Sequence, residues 1–146
     1  ERDYTRALIE TFAFHREVVL HGCAGLAELA ERKMRGEPVS DAAVLAEIEP
    51  VFVDRSGRRT DAVVLGCTHY PLLLEELERV APWPVVFVDP SDAIARRVVE
   101  VVPAGVARGQ GRAWVSSGDG LRLGDMFARH GFPDTVLIDL PVERGI

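Results

Sequence analysis

The short apolar run Asp61-Ala62-Val63-Val64-Leu65 passes through Gly66-Cys67-Thr68-His69-Tyr70-Pro71 into Leu72-Leu73-Leu74-Glu75-Glu76-Leu77-Glu78-Arg79-Val80. A run that short and that continuous predicts a buried strand. The stretch after it has helical spacing, with Pro71 in its first turn. A strand that hands over directly to a helix is the repeating unit of parallel α/β sheets, and the loop at the strand's C-terminal end is where such sheets bind ligands. The chain's main constraint and its most reactive residues therefore coincide. Cys67, Thr68 and His69 bring a thiol, a hydroxyl and an imidazole into one turn. Backbone N–H groups at a helix start would favour a thiolate there. A cysteine can also be a small buried hydrophobe, Thr68 a helix N-cap, and His69 a surface histidine.

The same rhythm runs along the chain. Tyr4, Leu8, Ile9 and Phe12 form one helical stripe, and Glu17-Val18-Val19-Leu20-His21 reads as a strand. Leu26, Leu29, Ala30 and Met34 form a second stripe, ended by Gly36-Glu37-Pro38. Ser40 is placed to cap a short helix carrying Leu45 and Ile48, which Pro50 stops. Val51 to Val53 is ambiguous, and Arg55-Ser56-Gly57-Arg58-Arg59 predicts an exposed turn. A strand over Val85 to Val88 follows Pro82-Trp83-Pro84, and Ser91 is placed to cap a helix carrying Ile94, Val98, Val99 and Val102. Pro103 to Gly111 is the best linker candidate. A strand near Ala113 to Ser116, a helix from Leu121 to His130 closed by Gly131, and a strand near Thr135 to Leu140 complete the pattern. Such alternation predicts an α/β fold with a parallel sheet covered by helices on both faces.

Composition narrows the function classes. The 146 residues suffice for one sizeable core but not two full domains. A formal net charge of −6, with sixteen arginines and one lysine spread along the chain, argues against nucleic acid or an anionic membrane as partner. No apolar run approaches the roughly 20 residues of a membrane span, and no signal-peptide pattern opens the chain. Two cysteines do not make a disulfide framework. Gly105 to Gly111 lacks the pattern of a phosphate-binding loop.

The Gly66–Pro71 hexapeptide, its lead-in Asp61–Gly66, the later Val86-Phe87-Val88-Asp89-Pro90-Ser91-Asp92-Ala93-Ile94-Ala95 and Trp114-Val115-Ser116-Ser117-Gly118-Asp119 resemble the C-terminal half of bacterial glutamate racemases, in the aspartate/glutamate racemase family. The likeness covers roughly residues 1 to 120. It implies one half of a two-domain fold, with residues 1–103 as the C-terminal racemase domain and 104–146 returning to an N-terminal domain. It implies a cofactor-independent enzyme that interconverts L- and D-glutamate and supplies D-glutamate for peptidoglycan in the cytoplasm. No metal or cofactor is expected. The implied partners are the two glutamate enantiomers, the N-terminal half of the same enzyme and, as an open alternative, a second copy of the chain.

By this resemblance Cys67 is one of two acid/base cysteines on opposite faces of the substrate. Inverting a stereocentre by proton transfer needs an acid and a base on opposite sides of the carbon, with preorganised donors at the carboxylate. Thr68 and His69 match substrate-contacting positions, and the histidine also assists its cysteine. An auxiliary carboxylate one helix upstream is matched best by Glu31, with Glu28 as the alternative. Cys23-Ala24 departs from the family's usual Cys-Pro at the start of that helix.

The motifs that carry the second cysteine have no match here. Cys23 lies in the same half as Cys67 and is not promoted to that role. The strand that precedes the first helix in the family is also unmatched, so the resemblance implies a fragment that is inactive alone. Two rivals stay open. His21, Cys23, Cys67 and His69 make a legitimate zinc set if their strands are neighbours, and the chain could be a non-catalytic module that binds an amino acid.

Overall fold

The computed structural model describes residues 3–102 and 111–138. Three helices carry the core: α2 (Ala24–Met34), α3 (Asp41–Ile48) and α4 (Leu74–Val80). Their inward residues, Leu26, Leu29, Ala30, Val44, Ile48, Leu73 and Leu77, form one cluster with Cys23 and Leu65. The stripe read on α2 is thus its buried face. Arg35 and Gly36 end this helix, and Gly36 takes φ +78°, a left-handed turn that costs glycine nothing. Ser40 caps α3 as expected, its hydroxyl accepting the Ala43 N–H at 3.2 Å. Lys33, the chain's single lysine, donates to Glu76 on α4 at 2.7 Å and so neutralises the one buried carboxylate among the described residues. Leu77 is fully buried at the α3–α4 contact. Leu77→Ala is expected to lower unfolding stability by ~2–5 kcal/mol in a urea titration, through lost transfer energy and a residual cavity.

β3 (Ala62–Val64) pairs in parallel with β4 (Val86–Val88), Val63 opposite Phe87. A second parallel ladder joins β5 (Arg112–Val115) to β6 (Asp134–Leu137), Ala113 opposite Thr135. The α/β class holds, but the described residues form separate two-stranded ladders, with a small antiparallel hairpin of β1 (Asp54–Arg55) and β2 (Arg58–Arg59). Val63 and Phe87 pack on the core, whereas Val64 and Val86 on the opposite face are 68% and 64% exposed. The remaining helices are α1 (Asp3–Phe12), α5 (Ser91–Val101), α6 (Gly118–Leu121) and α7 (Gly124–Arg129). Tyr4 and Phe12 of α1 and Val99 of α5 are largely exposed.

Four local expectations need correction. Glu17 to His21 forms no strand: among the described residues no strand offers it a ladder, and its polar ends bond elsewhere, Glu17 to Arg55 and His21 to the Glu47 carbonyl. The helix after Cys67 does not start at Pro71, because Tyr70–Leu73 is a 3₁₀ turn and α4 begins only at Leu74. Ser91 is not a cap. The Asp89 carboxylate instead accepts from the Ser91 N–H and hydroxyl, which hold it below the usual carboxylate range. The helix over Leu121 to His130 breaks into α6 and α7, separated by Arg122 and Leu123. The linker at Pro103 to Gly111 lies outside the described residues except for Gly111, as do the Gly105–Gly111 loop in the main and the last residues of the strand read to Leu140.

Candidate active site

The ladder places the thiol. Leu65 N–H donates to the Val88 carbonyl at 3.0 Å, one residue past β3, and Leu65 itself is buried. Gly66 then releases the chain, and Cys67 stands half-buried just beyond the strand's C-terminal end. The turn closes on itself, Tyr70 N–H donating to the Cys67 carbonyl and Leu72 N–H to that of His69, each at 3.1 Å. Neither the 3₁₀ turn nor α4 is capped by a side chain, so Thr68 does not serve as an N-cap.

Three of the expected residues form a line. Cys67 Sγ lies 3.8 Å from His69 Nδ1, and His69 Nε2 lies 3.4 Å from Glu31 Oε1 on α2. A carboxylate at Nε2 favours the tautomer that carries its proton there, which leaves the Nδ1 lone pair facing the thiol. Arg35 sits 3.6 Å from the same carboxylate, one helical turn on. Of the two glutamates considered for this position, Glu31 is the one that reaches His69. Glu28 lies on an exposed part of the same helix.

A pocket of about 210 Å³ opens beside this line, lined by Glu31, Met34, Thr68, His69, Leu72, Leu123, Met126 and Phe127. It is smaller than the ~300–1,000 Å³ of drug-sized ligand sites. Thr68 and His69 of the turn line it, whereas Cys67 is not among its walls. The wall contributed by Leu123, Met126 and Phe127 was not foreseen, although their spacing marks an apolar helical face. Phe127 is part of that wall. Trp114 is exposed over more than half its surface. Two further contacts had no sequence signal: Tyr70 donates its phenolic hydrogen to the Cys23 carbonyl at 3.0 Å, and Glu47 accepts the Gly25 N–H at 3.0 Å at the start of α2. A Cβ at position 25 would come 2.5 Å from that carboxylate, and the Glu47 side chain would have to shift to admit it.

Cys23 behaves as a core residue. It is 6% exposed, and burial pushes its thiol up, with the Glu47 carboxylate acting in the same direction. The two cysteines are both free thiols. Iodoacetamide at neutral pH should therefore modify Cys67 and spare Cys23, as read by peptide mass mapping. The raised Cys23 value also has a sign for stability. Its contribution is fully present below the ordinary thiol range and is lost as pH rises through the folded-state value, so an alkaline melt should show a loss that Cys23→Ala removes.

The zinc set is not assembled. Among the described residues no three His, Cys, Asp or Glu side chains are placed to hold a metal ion, and His21 is engaged with the Glu47 carbonyl. No helix among the described residues is long and apolar enough to cross a membrane.

No family model matches the chain. It is 57% identical over 103 residues to a glutamate racemase of Agrobacterium fabrum, covering 70% of this chain and 38% of that protein. It is 52% identical over 104 residues to a glutamate racemase of Brucella canis, covering 71% of this chain and 38% of the relative. The chain thus spans about two fifths of the length of the curated relatives it matches. Among solved structures it is similar to Escherichia coli glutamate racemase in complex with L-glutamate and the activator UDP-MurNAc-Ala, with a TM-score of 0.79 and 33% identity. That match covers 95% of this chain and 55% of the other.

Proposed function

We infer that this chain, a homologue of the glutamate racemases over 70% of its length, is the part of such an enzyme that presents one of its two proton-transfer faces. The observation that carries the reading is the line Cys67–His69–Glu31 at the end of a parallel strand. In this reading Cys67, as thiolate, takes the Cα proton of glutamate. The C–H electron pair passes into the substrate carboxylate, and a thiol on the opposite face returns a proton to give the other enantiomer. His69 Nδ1 accepts the proton from the Cys67 thiol before the substrate reacts. Glu31 holds the imidazole in the tautomer that can do so, and it stabilises the imidazolium once formed. Thr68 offers its hydroxyl to the substrate, where charge develops. No step calls on a cofactor.

The opposite thiol is assigned to the part of the enzyme that this chain does not span. In this reading residues 1–103 are the C-terminal racemase domain, and 104–146 return to the N-terminal domain. The product side of the reaction supplies D-glutamate for peptidoglycan, hence for cell-wall growth and cell shape, in the cytoplasm. Partners beyond glutamate are that other half and, in the assembled enzyme, a second copy.

The test is a chimera in which this chain replaces the stretch it matches in the Agrobacterium fabrum enzyme. Conversion of L- to D-glutamate by the purified chimera, followed by chiral chromatography, supports the reading. A folded chimera that binds glutamate without converting it would leave only an amino-acid-binding module.

A further inference from the structure

Helix α2 carries Glu31 and is tied at both ends to the segment that carries Cys67 and His69. At its C-terminal end Lys33 bonds Glu76 of α4 at 2.7 Å. At its N-terminal end the Tyr70 hydroxyl bonds the carbonyl of Cys23, the residue just before the helix, at 3.0 Å. These two residues are far apart in sequence, and Cys23 supplies no side-chain cap of its own. Tyr70 follows His69 directly, so its bond sets where the imidazole stands relative to α2. The 3.4 Å spacing of His69 from Glu31 spans the same gap as that bond. The Tyr70 ring packs against the core cluster, which accounts for the ring but not for the hydroxyl.

We propose that Tyr70 is a positioning residue: its hydroxyl, bonded to the Cys23 carbonyl, holds the Cys67–His69 turn against α2 so that Glu31 and Cys67 meet opposite nitrogens of one imidazole. The proposal rests on the reading of His69 as the group that draws the proton from Cys67. A displaced imidazole loses the carboxylate at Nε2, and with it the preference for a lone pair at Nδ1. Tyr70→Phe keeps the ring in the core and deletes only the tie.

The test uses the 146-residue chain itself and does not depend on racemase activity. The rate of Cys67 alkylation by iodoacetamide, read on its own peptide, is measured for the parent, His69→Ala, Tyr70→Phe and the double variant. The expected cycle is non-additive: either single change slows Cys67 by about fivefold or more, and adding His69→Ala to Tyr70→Phe slows it by less than about twofold further. Nitrogen NMR of His69 should show the Nε2–H tautomer in the parent and a mixture in Tyr70→Phe, a change that a purely structural role would not produce. Glu76→Gln loosens the other tie and should leave the Cys67 rate within about twofold. Circular dichroism confirms folding of each variant. A Tyr70→Phe rate equal to the parent's, with His69→Ala still slow, overturns the proposal while leaving the Cys67–His69 reading in place. Equal slowing by Glu76→Gln overturns it as well, because general loosening of α2 would then account for the effect. If His69→Ala leaves the parent rate unchanged, both the proposal and the reading of the site fall.

Discussion

Cys67→Ala in the chimeric enzyme is expected to lower kcat for glutamate racemisation by about 10²–10⁴-fold in both directions, the range of a positioned acid/base group. The methyl group can neither take nor return a proton, and no other side chain in the turn replaces it at the same place. His69 is 3.8 Å behind the thiol, and Cys23 is buried against the core. KM should change far less than kcat, because the thiol is asked to act on the transition state rather than to hold the substrate. Progress curves from L- and D-glutamate give both directions in one experiment. Activity within about tenfold of the parent would mean that Cys67 is a structural residue.

His69→Ala carries the second large effect. It removes the group between Cys67 and Glu31, so the thiol loses its proton acceptor and the carboxylate loses its only route to the thiol. A loss of at least tenfold in kcat is expected, about 1.4 kcal/mol in barrier height. Thr68→Val, which keeps the shape and deletes the hydroxyl, should act on the same scale but appear partly in KM, since Thr68 lines the pocket beside His69. A double variant of His69 and Glu31 should be no slower than His69→Ala alone, because the carboxylate acts through the imidazole. Steady-state kinetics at saturating and limiting glutamate separate these outcomes.

The residues that were legible in sequence are those whose role is local. The Gly66–Pro71 turn announced itself by adjacency, and a run of apolar residues before a helical stripe placed it at a strand end. Ser40 was readable as a cap because capping involves residues three apart. Elements that depend on distant partners were not readable. Val18 to Leu20 has strand-like composition, yet a strand needs a neighbour to satisfy its backbone, and none pairs with it among the described residues. Periodicity could show that Glu31 lies on α2 but not that it meets an imidazole 38 positions later. That contact comes from how α2 packs against the 3₁₀ turn. The same holds for the wall of Leu123, Met126 and Phe127, which a helix from a later ladder brings to the site. Asp89 and Ser91 at the start of α5 are a smaller case: two good capping residues stand two apart, yet Pro90 holds the cap position without a side-chain bond and Asp89 accepts from Ser91 instead.

The central claim is that this chain supplies one face of a two-face proton transfer, and the chain alone tests it. The purified protein is incubated with L-glutamate in heavy water, and both D-glutamate and deuterium at Cα are followed over many hours. No D-glutamate should accumulate, because the chain's second cysteine, Cys23, is buried beside α2 rather than opposed to Cys67. Any deuterium that enters should enter with retention, through Cys67, and should vanish in Cys67→Ala. Sustained formation of D-glutamate by this chain alone would contradict the account, since an opposed acid would then have to come from Cys23 or from a second copy.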